Sequence, residues 1–264
     1  MAAQSKAGAK PKNPLDILNP ATFLSVFCFC TTLASRPVMI AKIMGDPAMA
    51  SSTLARLTAS GAISEFIFSP VFGKLMDKYG RKPFLVGSLL TSAAAYGMLF
   101  LNIDSLTCFL LEAITRKAAD TVYFNAMRAS LTDVVRGPEL TVSASRIATW
   151  AGVGVMCGPI FTQRIMLPLL GGSADMLKYA MLFNVGVLGV AALWIAAKLQ
   201  EPLPKDQRRP MDWVAANPLS FIRMLTKTRS MFLLMLTSGL QVRVWPCYIR
   251  VAHHPNELVS SLSE

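Results

Sequence analysis

Residues 72–85 read FGKLMDKYGRKPFL, from Phe72 to Leu85, a charged stretch set between two apolar runs. Lys74, Lys78, Arg81 and Lys82 fall within it, together with Asp77. Gly73 permits close helix approach, and Gly80 can take the positive φ needed to reverse the chain. Pro83 suits the first turn of the next helix, where a missing N–H costs little. Asp77 at the end of one helix, with Arg81 four residues on, can form an ion pair. The stretch therefore predicts a tight hairpin between two helices, and its apolar flanks decide what kind of helices they are.

Of the 264 residues, 53% are apolar and only 16% are charged, against roughly a quarter charged in an average soluble domain. Mean hydropathy is +0.46. So few polar residues cannot clothe a soluble core of this size, and lipid is the expected solvent. Six stretches have the length and apolarity expected of a membrane helix: 21–43, 51–72, 83–103, 107–132, 141–167 and 176–199. A weaker seventh begins near Met231. The expected organisation is an all-α integral membrane protein: a basic tail over 1–20, a six-helix bundle over 21–199, a Pro-rich charged linker over 200–230, and a partial seventh helix with an atypical tail over 231–264.

The net charge of +11 would suggest nucleic acid in a soluble protein. Here the cations fall between the apolar runs, which favours anchoring at an anionic membrane face and no nucleic-acid partner. Lys and Arg are absent from 44–50, 104–106 and 168–175 and fall in the tail, the 73–82 turn, the 133–140 turn (Arg136, flanked by Arg128 and Arg146) and the linker. The positive-inside rule then places the N-terminus and the linker in the cytoplasm. Residues 1–19 contain no apolar core with a cleavage site, so they do not form a secretory signal.

Two stretches echo each other. RLTASGAISEFIFSPVFGK begins at Arg56 and RIATWAGVGVMCGPIFTQR at Arg146. They are the second helices of two successive three-helix units that cross in opposite directions, an inverted repeat common among transporters.

Ionisable groups at membrane depth are costly and usually face a cavity. Glu112, Arg116 and Asp120 recur every four residues in the fourth span and so share one face, which Tyr123 continues, with Lys117 beside it. Internal ion pairing and solute contact are both open for this stripe. Glu65, in an apolar setting in the second span, is the candidate for a carboxylate that exchanges protons, with Arg36 or Arg116 as its alternative structural partner. Arg36 itself is a counter-charge or an anion contact. Arg56 and Arg164, at span ends, are expected to snorkel to the interface. Gly152, Gly154 and Gly158 are expected to serve helix packing.

The ten residues Gly73-Lys-Leu-Met-Asp77-Lys-Tyr-Gly80-Arg81-Lys82 resemble the signature turn between helices 2 and 3 of the major facilitator superfamily, G-x-L-x-D-x-x-G-R-[KR]. Arg116 lies where that family carries a membrane-embedded arginine. Gly154-Val-Met-Cys-Gly158-Pro159 is similar to the GxxxGP element of helix 5 found in antiporter branches, although Ile-Phe-Thr-Gln follows instead of the usual glycines. FIFSPVFGKLMDKYGRKPFL looks nearest to tetracycline-efflux-like members. The resemblance implies the N-terminal half of a secondary transporter that moves a small organic solute by alternating access with proton coupling. It further implies that Asp77 contacts the opposite half, and that Arg81 pairs with an acid at the inner end of helix 4, here Asp133, to latch one state.

Other chemistry is missing from the sequence. No phosphate-binding Walker loop, HExxH or GxSxG is present, and Cys28, Cys30, Cys108, Cys157 and Cys247 form no CxxC pair. No enzyme activity, metal or cofactor is expected, and His253 and His254 read as incidental. Hydrophobicity collapses from about Gln241, so the chain reads as a truncated half. A half of this kind is expected to dimerise, to pair with a C-terminal half, or to act as a non-transporting or regulatory fragment bound to a full-length paralogue.

Overall fold

A computed structural model describes residues 14–169, 177–208 and Leu233. The chain divides into a unit over 1–216 and a second over 217–264, and the expected seventh helix and atypical tail lie, Leu233 apart, outside the described residues. Among the described residues the regular structure is entirely helical. Six long helices carry the fold: α1 (Pro14–Met44), α2 (Pro47–Tyr79), α3 (Lys82–Leu101), α4 (Leu106–Val134), α5 (Pro138–Phe161) and α6 (Leu177–Lys198).

The corners follow local chemistry. Asp46 caps α2, its carboxylate accepting the Ala48 N–H at 2.9 Å, and Pro47 opens the helix. Gly80 ends α2 with φ 104, and Gly137 precedes Pro138 of α5 with φ 67, conformations that a Cβ would strain. α1 starts at Pro14, inside the stretch expected to be a solvated tail. The reason is burial: Ile17 and Leu18 are 6% and 1% exposed and join the core. α2 also runs past the expected 72, so Gly73–Tyr79 forms its last turns and only Gly80 and Arg81 make the corner.

α5 continues through Pro159 and then widens into a π-turn, Thr162–Met166. The π-turn ends two residues before Pro168, whose missing N–H and ring disturb the turn on its N-terminal side. The Thr162 hydroxyl donates to Gly158 O at 3.1 Å and lies 3.3 Å from Thr31 O of α1.

α1 packs on α5 and α6, α2 on α4, and α3 on α4 and α6, with lighter α1–α2, α1–α4 and α4–α5 contacts. Exchanging α1 with α4, α2 with α5 and α3 with α6 maps the main pairs onto one another: α1–α5 becomes α4–α2, and α3–α4 becomes α6–α1. That is the packing expected of two related three-helix units. Small residues make the closest approaches. A Cβ on Gly154 would lie 3.0 Å from Phe23 O, and one on Gly158 would lie 2.6 Å from Cys30 Cβ. On the repeat-related pair, a Cβ on Gly61 of α2 would lie 3.1 Å from Ala113 O of α4.

Buried polar groups fix the register of these helices. Asn184 of α6 is fully buried and donates to Thr32 Oγ1 at 2.8 Å and Cys28 O at 3.2 Å, while Thr31 donates to its Oδ1 at 3.1 Å. Thr22 meets the Tyr123 hydroxyl at 3.1 Å, and Arg36 pairs with Glu112, so α1 and α4 run antiparallel. By length and composition α1, α3 and α6 are apolar enough to cross a membrane on their own. α2 and α4 carry more charged and hydroxyl side chains, and several of these line the interior or a cavity.

Candidate functional site

The 73–82 corner is a three-carboxylate cluster. Arg81 is 8% exposed. Its NH1 lies 2.8 Å from Asp77 Oδ1, one helical turn back, and its Nε lies 3.2 Å from Asp133 Oδ2 near the end of α4. The third carboxylate has no counterpart among the sequence expectations. Glu201, three residues past α6, accepts the backbone N–H of Arg81 at 2.7 Å, of Lys82 at 3.2 Å and of Leu203 at 3.3 Å. The first two are free donors at the N-terminus of α3, where a negative charge is favoured. Glu201 thus ties the segment after α6 to the signature corner. Gly80 makes this possible, because a Cβ there would stand 2.7 Å from the Glu201 carboxylate. No local pattern announces a contact across 120 residues; an acid directly before Pro202 is the only cue.

Two expectations about the corner change. A Cβ on Gly73 would meet nothing within 4 Å, so the described residues do not use Gly73 for close approach. Lys82 takes its place at the start of α3 through its backbone, and no ion pair of its side chain is found among the described residues.

The second constellation runs down α4. Glu112 is fully buried, with Arg36 on one oxygen and Arg116 Nε 2.7 Å from the other. Arg116 NH1 then lies 2.7 Å from Asp120 Oδ2. The result is an alternating chain, Arg36–Glu112–Arg116–Asp120, with the Arg116 guanidinium 4.7 Å over the Phe29 ring. Every charge in this chain has an opposite neighbour, which is how charges survive at this depth. Arg36 is therefore a counter-charge.

Glu65 departs from its expected setting. Its partner is Lys117 at 3.0 Å, not Arg36 or Arg116, and both side chains are 41% exposed. The reason is packing: α2 lies against α4 at Gly61, beside Lys117 Cβ, while both arginines are already held by Glu112 and Asp120. Tyr123 also leaves the stripe; it is 1% exposed and points to Thr22 in the core. Arg56 and Arg164 are both exposed. Gly154 and Gly158 lie against α1, whereas a Cβ on Gly152 would meet nothing within 4 Å, so Gly152 is not part of that contact.

Glu65, Lys117 and Asp120 line a cavity of about 370 Å³ between α1, α2, α4 and α5. Phe29, Phe124 and Val155 give it apolar walls, and Asn125, which donates to Ser69 at 3.1 Å, and Arg128 add polar groups. Its size and mixture of apolar wall with a few fixed polar groups are those of a small-molecule site. Among the described residues no group of His, Cys, Asp and Glu is arranged to hold a metal ion.

Comparison with known proteins agrees with the fold. The Major Facilitator Superfamily model matches residues 19–247. A tetracycline resistance protein, class C, from Escherichia coli is 29% identical over 168 residues, which are 63% of this chain and 40% of that protein. A class H tetracycline resistance protein from Pasteurella multocida is 36% identical over 105 residues, 39% of this chain and 26% of that protein. The crystal structure of the human organic anion transporter MFSD10 superposes with a TM-score of 0.63 at 16% identity, covering 77% of this chain and 51% of that one. The matches thus span about half or less of each relative's length.

Proposed function

The chain belongs to the Major Facilitator Superfamily, and on that premise we propose that its bundle is the N-terminal half of a secondary active transporter that moves a small organic solute by alternating access, with protons as the coupling ion. The multi-pass bundle supplies the frame, and the observation that carries the reading is the cavity bounded by Glu65, Lys117 and Asp120. The Glu65–Lys117 pair is the most exposed ion pair of that region. Protonating Glu65 would release Lys117, so a proton and a solute can take turns at one place, as antiport requires. The Asp77–Arg81–Asp133 cluster is the latch: it joins α2, α3 and α4 at one end, and breaking it frees that end to open. In this reading the latch, Glu201 and the N-terminus face the cytoplasm.

A second element of the proposal concerns partners. Side chains of Glu65 and Lys117 that stay 41% exposed at membrane depth cannot face lipid. We read this side as covered by protein, a C-terminal half or a second copy of the chain, which would enclose the cavity. The rival is a non-transporting, regulatory fragment that lays the same face on a full-length paralogue.

Flux in proteoliposomes carrying the 264-residue chain, with and without a pH gradient, separates the two. The transporter reading expects solute movement that the gradient drives and that Glu65→Gln uncouples. Absence of flux, with co-purification of a full-length paralogue, favours the rival; gradient-driven flux in Glu65→Gln clears Glu65 of the coupling role.

A further inference from the structure

The charges around the cavity pair off until one is left. Glu65 holds Lys117 at 3.0 Å and Asp120 holds Arg116 at 2.7 Å; behind them Glu112 is shared by Arg116 and Arg36. Four cations, counting Arg128, thus meet three carboxylates. Arg128 lines the cavity and is exposed, and among the described residues it forms no ion pair. It stands one turn beyond Phe124 on α4, so its guanidinium and that ring share a face of the helix. Phe29 of α1 also lines the cavity, its ring held by Arg116 at 4.7 Å.

We propose that the cavity takes an amphipathic organic anion, an aryl body between Phe29 and Phe124 carrying a carboxylate or sulfonate that binds Arg128. This rests on the solute-binding reading of the cavity given above. A cationic solute is disfavoured for a stated reason: each carboxylate at the cavity already has a cation within ion-pair distance, so a second cation must displace one. An anion meets no such competitor at Arg128. A guanidinium can grip both oxygens of a carboxylate or sulfonate at once, which a lysine cannot match.

The test uses three probes that share one aryl body: naphthalene-2-sulfonate, 2-naphthylmethanol and 2-naphthyltrimethylammonium. Equilibrium binding to the 264-residue chain in zwitterionic nanodiscs is measured after subtracting uptake by empty nanodiscs. The sulfonate is expected to bind about tenfold more tightly than the neutral probe. Arg128→Gln should erase that preference without weakening the neutral probe, while Arg128→Lys keeps part of it. Equal or tighter binding of the cation overturns the inference and leaves the cavity a solute site. An unchanged sulfonate preference in Arg128→Gln overturns it too, because Arg128 then only snorkels to the interface. Binding of none of the three overturns both this inference and the solute-binding reading.

Discussion

The Glu201 carboxylate fills the space that a side chain on Gly80 would need, 2.7 Å from where its Cβ would stand. Glycine at 80 is thus required twice, by φ 104 and by the approach of Glu201. Gly80→Ala should cost roughly 1–3 kcal/mol in backbone strain, and more as Glu201 is pushed off the α3 N–H groups, a loss worth about 1 kcal/mol. Glu201→Ala alone should cost only the second part. Thermal melts of both single variants and the double variant check this, and the double should be clearly milder than the sum. Strict additivity would mean that the two residues do not compete for one space.

Arg81 bridges Asp77 at 2.8 Å and Asp133 at 3.2 Å through different nitrogens. A lysine is a single point charge and cannot hold both carboxylates in this fork. Arg81→Lys should therefore resemble Arg81→Ala in faster hydrogen exchange at the 80–82 amides and the end of α4. Exchange indistinguishable from the parent in Arg81→Lys would show that charge alone holds the corner.

Glu112 is fully buried between two guanidinium groups. Glu112→Gln leaves Arg36 without its counter-charge and should destabilise by about 3–5 kcal/mol, as broken buried pairs do. The double variant Arg36→Met, Glu112→Gln removes the stranded charge and should recover a good part of the loss. Denaturation in mild detergent reads both, and a double variant as unstable as the single would locate the cost elsewhere.

A Cβ on Gly158 would stand 2.6 Å from Cys30 Cβ, whereas one on Gly152 would meet open space within 4 Å. Gly158→Ala should push α5 from α1 at a cost of about 1–3 kcal/mol. Gly152→Ala should be neutral or slightly stabilising, since alanine is the better helix former. Equal melting temperatures for the two variants would contradict the packing described.

Much of this is readable from the chain because it is local. The helical hairpin at Gly80, the Asp77–Arg81 spacing and the Glu112–Arg116–Asp120 stripe all depend on residues within one or two turns. What depends on how helices face one another is not. Lys117 rather than an arginine meets Glu65 because Gly61 sets α2 against that side of α4. Tyr123 turns to Thr22 because α1 covers that end of the stripe. Glu201 reaches Arg81 from 120 residues away, with no periodic pattern to mark it.

Under the proposed function, one cavity opens alternately to the two sides of a membrane. Asn125 lines that cavity, so Asn125→Cys in oriented proteoliposomes reports its access directly. A membrane-impermeant thiol reagent is applied from one side at a time, and modification at residue 125 is read by mass spectrometry. Alternating access predicts labelling from either side, with the favoured side reversing when the pH gradient or a solute is added. Labelling from a single side at a rate indifferent to both would contradict it.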